Sequence, residues 1–242
     1  MNGITTLWSF VALLLRFQTF LKTYCIWVIP FPMNKAPLNP IGLIADSHGK
    51  NELLLKAIRT VKEHGADRLI HLGDLCDSLD PHSAEATVNI LQEDCIPGVL
   101  GNNEYSIISE HHNEHVQNIS SAVLDYLSGL PYILDLGVLW FTHSAPFAWP
   151  AATRRPIKDF LPHLVQHNNF PFEILFRGHS HRPSVIEMNG AEIKKIPVQA
   201  GTRLKLCRNK RYVITVGAVE EASCALFLPR EYEIGFMSIG RM

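Results

Sequence analysis

Five short apolar segments of the sequence each end in side chains that can bind metal ions. In chain order these endings are Asp46-Ser47-His48, Gly73-Asp74, Gly101-Asn102-Asn103-Glu104, Thr142-His143 and Gly178-His179-Ser180-His181. Each ending by itself could equally be a surface loop or a hydrogen-bonded group in the core. Five of them in one chain, each closing an apolar run, indicate a metal centre.

Three oxygen donors and four imidazoles make up the candidate ligands, and this donor set restricts the metal. The ligands are Asp46, His48, Asp74, Asn102, His143, His179 and His181. Such donors suit mid-series divalent ions, so we expect manganese, with iron, zinc, nickel or magnesium as alternatives. Seven ligands are too many for one tetrahedral ion, and no thiolate is among them. The pattern therefore favours two ions that share a carboxylate.

Strands and helices alternate in the first part of the chain, in an order that could bring these endings together. The residue pattern predicts strands at Ile41–Ala45, Arg68–Leu72 and Ile96–Leu100 and helices at Asn51–His64 and Ser83–Leu91. This order is typical of an α/β sheet with parallel strands. In such sheets ligands bind outside the carboxyl ends of the strands. Gly73, Gly101 and Gly178 would allow sharp turns at those ends.

The second part of the chain is richer in predicted strands and poorer in predicted helices. Helices are predicted at Ser120–Leu127 and within Ile157–His167, and strands at Tyr132–Asp135, Leu139–Thr142, Ile174–Phe176, Val185–Met188, Tyr212–Val216 and Cys224–Leu228. A second, mixed sheet packed on the first accounts for this pattern. We therefore predict a single α/β domain over residues 33–242, built as a two-sheet sandwich flanked by helices.

Composition limits the compartment and the partners. The chain has 22 basic and 23 acidic residues and a net charge of −1, so its balance does not indicate nucleic acid or an anionic membrane as a partner. Its five cysteines form no C-x-x-C pair. This argues against a disulfide framework and favours a reducing compartment. We predict a cytoplasmic protein and make no prediction of its oligomeric state.

Residues 1–32 are rich in Leu, Phe, Trp and Ile and differ from the rest of the chain. A membrane-spanning helix needs about 20 mostly apolar residues, and Arg16 and Lys22 interrupt this stretch. Three interpretations stay open: translation that starts at Met33, a weak membrane anchor, or a cleaved signal. Only the anchor would imply association with a membrane. No residue before Met33 carries recognisable chemistry.

The order of the five motifs resembles the calcineurin-like metallophosphoesterase superfamily, and more narrowly its small bacterial and archaeal phosphodiesterases. The resemblance covers about residues 40–228 and implies a sandwich of two sheets flanked by helices. It assigns Asp46, His48 and His181 to a first metal, Asn102, His143 and His179 to a second, and Asp74 to both. The implied reaction is hydrolysis of a small phosphorylated substrate, with a metal-bridging hydroxide attacking phosphorus in line.

Asn103 is a departure from the superfamily pattern that bears on the substrate. Many members carry a histidine there that acts as a general acid, whereas an amide cannot titrate. Asn103 is therefore the candidate catalytic residue that favours phosphodiesters or phosphoanhydrides over alkyl monoesters. His111, His112 or His115 could replace the missing acid, although a solvated surface is the favoured interpretation of these histidines.

Several alternatives remain beside this hypothesis. His71 is predicted to be a hydrogen-bonded core group, and Arg154 and Arg155 could hold a substrate phosphate or lie in a solvated loop. The substrate could instead be a phosphoprotein or a dinucleoside polyphosphate. The superfamily also contains a retromer subunit that serves as a scaffold. We favour an enzyme because loss of ligands would mark a scaffold and none is lost here.

Overall fold

The computed structural model describes residues 39–80, 82–111, 119–146, 161, 164 and 170–240. The extension at residues 1–32 lies outside the described residues, as do His112, His115, Arg154, Arg155 and most of the helix predicted within Ile157–His167. His111 ends a described helix, but its side chain is not among those described. No helix in the described part of the chain is both long and apolar enough to cross a membrane.

Eleven strands and four helices have bounds within the described chain. The strands are β1 (Ile41–Ile44), β2 (Arg68–His71), β3 (Ile133–Leu136), β4 (Leu139–Thr142), β5 (Ile174–Arg177), β6 (Ser184–Asn189), β7 (Glu192–Ile196), β8 (Arg203–Lys205), β9 (Arg211–Thr215), β10 (Ser223–Leu228) and β11 (Glu233–Ser238). The helices are α1 (Asn51–Glu63), α2 (Ser83–Glu93), α3 (Asn102–His111) and α4 (Ser121–Ser128).

The strands form two mixed sheets. The first sheet has the order β2-β1-β10-β11-β8, in which β1 and β2 are parallel and the other neighbours are antiparallel. The second sheet has the order β3-β4-β5-β9-β6-β7, in which β4, β5 and β9 run parallel. The predicted α/β sandwich of two sheets flanked by helices is therefore confirmed.

Side chains alternate along β1, which explains why the first sheet is covered on both faces. Leu43 is buried in the core between the sheets, where the rings of Phe176 in β5 and Phe227 in β10 have centroids 5.1 Å apart. Ile44 belongs instead to the core beneath the helices. Full burial of one such side chain contributes about 1.5–3 kcal/mol. These cores hold the strand ends from which the candidate ligands project.

Strands β7, β8 and β11 were not predicted from the sequence. β7 and β8 lie at sheet edges and carry exposed charged side chains, so neither has the apolar run of a buried strand. In β11, Gly235 separates the buried Ile234 and Phe236 and weakens the pattern. The predicted strand Ile96–Leu100 was wrong: it is reduced to one bridge between Gly98 and His71, because Pro97 has no N–H to extend the pairing.

Candidate metal centre

The five ligand-bearing motifs lie at the carboxyl ends of β1, β2, β4 and β5 and at the start of α3. Backbone hydrogen bonds join them: the N–H of Asp46 donates to the carbonyl of Gly73 at 3.0 Å, and that of Gly178 donates to the carbonyl of His143 at 3.1 Å. The N–H of His179 donates to the carboxylate of Asp46 at 3.0 Å. The tertiary structure thus brings all the predicted metal ligands to one edge of the sandwich.

Five of the seven predicted ligands have a left-handed backbone, with φ between 44° and 68°. They are Asp46, His48, Asp74, His179 and His181. Only eight non-glycine residues of the described chain have a positive φ, so most of them belong to this site. Each such residue costs about 1–3 kcal/mol, and such conformations cluster at functional sites. The surrounding hydrogen bonds therefore hold the ligands in orientations that a continuing strand would not provide.

Four donor atoms converge in the buried cluster, which consists of Asp74, Asn102, His143 and His179. His143 Nε2 lies 3.0 Å from Asn102 Oδ1, 3.1 Å from His179 Nδ1 and 3.3 Å from Asp74 Oδ2. His179 Nδ1 lies 2.9 Å from Asn102 Oδ1. Donors about 3 Å apart subtend about 90° at an ion about 2.1 Å from each. The spacing therefore fits a divalent ion with several ligands at right angles.

The open cluster consists of Asp46, His48 and His181 and is more widely spaced. His181 Nε2 lies 3.4 Å from His48 Nε2 and 3.7 Å from Asp46 Oδ1. Such separations would subtend about 110–125° at an ion about 2.1 Å from each donor. The side chain of His181 is 35% exposed, whereas that of His143 is 0% exposed.

Asp74 lies between the two clusters. Its Oδ2 is 3.3 Å from His143 Nε2 and 3.9 Å from His48 Nε2, and its Oδ1 accepts a hydrogen bond from the N–H of Asn103 at 3.0 Å. Burial opposes the charge of this carboxylate, but His143 and the hydrogen bonds hold the pKa of Asp74 below its usual range. A charged carboxylate is therefore placed where both clusters can share it.

Protonation of the metal-free centre differs from ligand to ligand. Burial raises the pKa of Asp46 to about 7, against the opposing effect of His143. Burial lowers the pKa of His179 to about 4. For His143, burial is outweighed by the Asp74 and Asp46 carboxylates, which raise its pKa to about 9. Because a ligating imidazole nitrogen must be free of its proton, metal binding at His143 would release a proton.

Comparison with known proteins gives the family of the chain. Residues 40–221 match the model of the calcineurin-like phosphoesterase superfamily domain. The chain belongs to this superfamily. The enzymes of this superfamily are metal-dependent phosphoesterases that use two divalent ions, and the structure has two matching groups of candidate ligands, one in each cluster.

Individual relatives are distant in sequence but alike over most of their length. The uncharacterized protein MJ0912 of Methanocaldococcus jannaschii is 22% identical over 223 residues, which cover 82% of this chain and 86% of that protein. A metallophosphoesterase structure from Sphaerobacter thermophilus is 21% identical with a TM-score of 0.61, covering 85% of this chain and 90% of its own. The structure of a candidate diadenosine tetraphosphatase is 16% identical with a TM-score of 0.51. The match covers 83% of this chain and 94% of that chain. These structural likenesses establish the fold.

Asn103 lies beside the open cluster in this superfamily member. Its side-chain Nδ2 is 3.5 Å from His48 Nδ1, and its Oδ1 accepts a hydrogen bond from the N–H of Ser78 at 3.0 Å. The amide group is thus oriented by the chain and faces a candidate ligand.

Glu104 is the last residue of the third motif, and no role for it was predicted from the sequence. Its buried carboxylate accepts hydrogen bonds from the backbone N–H groups of Asp74, Leu75, Cys76 and Gly101, at 2.8–3.2 Å. A Cβ at Gly101 would collide with the amide nitrogen of Asp74, so glycine is required there. The acidic residue three positions after this glycine was the available signal. Its effect is to hold the loop that carries the shared ligand.

His71 is the hydrogen-bonded core group that the sequence predicted. Ser47 Oγ donates to the carbonyl of Leu75 at 3.0 Å and accepts from His71 Nε2 at 3.0 Å. Burial lowers the pKa of His71 to about 3, so this imidazole stays neutral. The pair braces the loop between Asp46 and His48 without reaching the donor atoms of the clusters.

Arg177 and Glu220 contact the loop that carries His179 and His181, and the sequence analysis found neither. The buried guanidinium of Arg177 donates to the carbonyl of Ser144 and to Ser180 Oγ, each at 2.8 Å. Glu220 Oε1 lies 2.9 Å from His181 Nδ1. Neither residue belongs to one of the five ligand motifs. Their contacts with this loop are therefore visible only in the folded structure.

Proposed function

We propose that this phosphoesterase hydrolyses phosphodiesters or phosphoanhydrides at a dinuclear centre, with Mn²⁺ as the expected metal. The observation that carries the proposal is the position of Asp74, whose Oδ2 lies 3.3 Å from His143 Nε2 in one cluster and 3.9 Å from His48 Nε2 in the other. In this assignment Asp46, His48 and His181 hold one ion, Asn102, His143 and His179 hold the other, and Asp74 contacts both. Two bound ions would activate a water, polarise the phosphoryl oxygens and stabilise charge on the leaving oxygen.

The chain contributes the orientation of the donors and the access of the substrate. In the buried cluster the side chains of His143 and Asp74 are 0% and 3% exposed, while the open cluster has His181 at 35% exposure. A substrate phosphoryl group would therefore approach from the side of the open cluster. Asn103 lies on that side and can donate a hydrogen bond to a phosphoryl or leaving oxygen, but it cannot deliver a proton.

The absence of a titratable group at Asn103 supports the proposed preference for diesters and anhydrides. A general acid typically contributes about 10²–10⁴-fold when the leaving group is poor. Without one at this position, the leaving oxygen must depart as an anion or take a proton from water. Good leaving groups, such as aryl oxides and phosphates, tolerate this far better than alkoxides.

A groove beside the open cluster supports a substrate with a second substituent on its phosphate. The cavity has a volume of about 670 Å³, and its lining includes His181, Arg182, Val198 and Gln199. Arg182 is exposed there and can contact an anionic group. A dinucleoside polyphosphate, which is a phosphoanhydride with several charged phosphates, is therefore the second candidate class of substrate.

The test is a series of phosphate mono- and diesters that differ in the pKa of the leaving group. We expect kcat/KM of the wild-type protein to fall steeply as leaving-group pKa rises, at full Mn²⁺ occupancy. Asn103→His should flatten this dependence and add an acid limb to the pH profile. Asn103→Gln keeps an amide and serves as the matched control, which should stay steep. Metal content is measured for each variant because Asn102 is adjacent.

Equal turnover of alkyl monoesters and aryl diesters by the wild-type protein would contradict the proposed preference. In that case another group, such as His111 or His112, supplies the proton. If the wild-type protein hydrolyses none of these esters at full metal occupancy, the enzyme assignment itself would be contradicted and a scaffold would be favoured.

A further inference from the structure

The non-ligating nitrogen of His181 faces a carboxylate that belongs to no ligand motif. Glu220 Oε1 lies 2.9 Å from His181 Nδ1, which is hydrogen-bonding distance, and 3.7 Å from His48 Nε2. His181 Nε2, on the other side of the same ring, faces His48 and Asp46 at 3.4 and 3.7 Å. The imidazole thus stands between a carboxylate and the open cluster.

We propose that Glu220 is a positioning residue for the open metal site and sets its affinity through His181. The inference rests on the assignment of the open cluster as a metal site. Glu220 accepts a hydrogen bond from the N–H of His181 Nδ1, which leaves the lone pair of Nε2 facing Asp46 and His48. A carboxylate partner also adds negative charge close to where a divalent ion would bind.

The ring of His143 in the buried cluster is held in a different way from the ring of His181. His143 Nδ1 donates to the backbone carbonyl of Leu72 at 2.8 Å, and the ring is fully buried. Packing and a neutral acceptor are sufficient there to fix the ring. The ring of His181 is 35% exposed, so packing holds it less firmly. The charged acceptor supplies in the open cluster the orientation that burial supplies in the buried one.

The backbone places Glu220 at this point independently of its side chain. The N–H of Val219 donates to the carbonyl of Ala45 at 2.8 Å, and the N–H of Glu220 donates to the carbonyl of Asp46 at 3.2 Å. The turn after β9 is therefore hydrogen-bonded to the segment that carries Asp46. One short segment aligns two ligands of the open cluster, Asp46 by its backbone and His181 by its carboxylate.

The experiment is calorimetric titration of the metal-free full chain with Mn²⁺. We expect two binding sites in the wild-type protein and a loss of about 10–100-fold in affinity at one of them in Glu220→Ala. Glu220→Gln keeps an acceptor but loses the charge, so its loss should be smaller. Glu231→Ala, which removes an exposed carboxylate from another loop, is the control and should bind as the wild type does. Melting temperatures of the metal-free variants show whether folding is intact.

A double-mutant cycle with His181→Ala tests the role of Glu220 separately from the assignment of the open cluster as a metal site. If Glu220 acts through His181, adding Glu220→Ala to His181→Ala should cause no further loss of affinity. Wild-type affinity in Glu220→Ala, or an equal extra loss in the double variant, would overturn the role of Glu220. Unchanged binding in His181→Ala would instead overturn the open metal site, and the proposal with it.

Discussion

The buried and open clusters meet at Asp74 but hold their donor atoms in different ways. In the buried cluster, His143 Nε2 has neighbours at 3.0–3.3 Å and a fully buried ring. In the open cluster, His181 Nε2 has neighbours at 3.4–3.7 Å and a ring that is 35% exposed. The two clusters therefore differ both in the spacing of their donor atoms and in the exposure of these histidine rings.

The two clusters also differ in the groups that support them. Glu104 binds four backbone N–H groups around Asp74 and Gly101 and is fully buried. Glu220 supports His181 with a side chain that is 26% exposed. A buried carboxylate with four donors resists rearrangement, whereas a partly exposed one allows it. Glu104 should therefore hold the backbone at Asp74 and Gly101 more rigidly than Glu220 holds His181.

Replacement of the shared ligand should have the largest effect. We expect Asp74→Ala to lose both ions and all activity, because each cluster loses a charged donor. Loss of a supporting hydrogen-bond partner alone typically costs about 10–100-fold in metal affinity, and loss of a ligand should cost more. Elemental analysis after dialysis checks this, with the exposed Asp80→Ala as the control. Two full equivalents of metal in Asp74→Ala would refute the sharing of this residue.

Removal of Glu104 should have the next largest effect and should act first on stability. We expect Glu104→Ala to lower the free energy of unfolding by at least about 4 kcal/mol, since each orphaned buried donor costs about 1–3 kcal/mol. Glu104→Gln keeps one acceptor oxygen and should lose less. Urea unfolding of the metal-free protein measures both, and the exposed Glu93→Ala should change stability by under about 0.5 kcal/mol. If Glu104→Ala unfolds at the same urea concentration as the wild-type protein, Glu104 is not the source of rigidity.

Chelation should distinguish the clusters directly. We expect a chelator to remove the ion of the open cluster at least about 10-fold faster than that of the buried cluster, because exchange requires access and mobile ligands. His181→Ala should abolish the fast phase and His143→Ala the slow phase. Stopped-flow release of Mn²⁺ into a chromophoric chelator resolves the phases. Release of both ions in one phase from the wild-type protein would mean that the clusters exchange as a unit.

Deletion of residues 1–32 should have the smallest effect, and none on either cluster. Every residue of the two clusters lies between Asp46 and His181, and the first strand of the described chain begins at Ile41. A chain that starts at Met33 should therefore melt at the same temperature and bind the same two ions. Differential scanning calorimetry and metal titration test this. Aggregation or loss of the melting transition would make the extension part of the fold.

The sequence by itself determined the family, the fold class and the identity of the candidate ligands. Apolar runs mark buried strands such as β1 and β5 locally, and the polar residues that end them are visible without a structure. The metal-capable types at Asp46 or His143 restrict the chemistry wherever they lie. These features could be predicted because each is a property of a few consecutive residues.

Tertiary structure alone decided how the donor atoms are spaced and which residues support them. Glu104 contacts Asp74 across 30 positions of the chain, and Glu220 reaches His181 from the turn after β9. The edge strand β7 forms by pairing with β6 and is mostly exposed. It therefore has no apolar run from which it could be predicted. Hydrogen bonds between distant segments leave no local pattern, and only the folded chain reveals them.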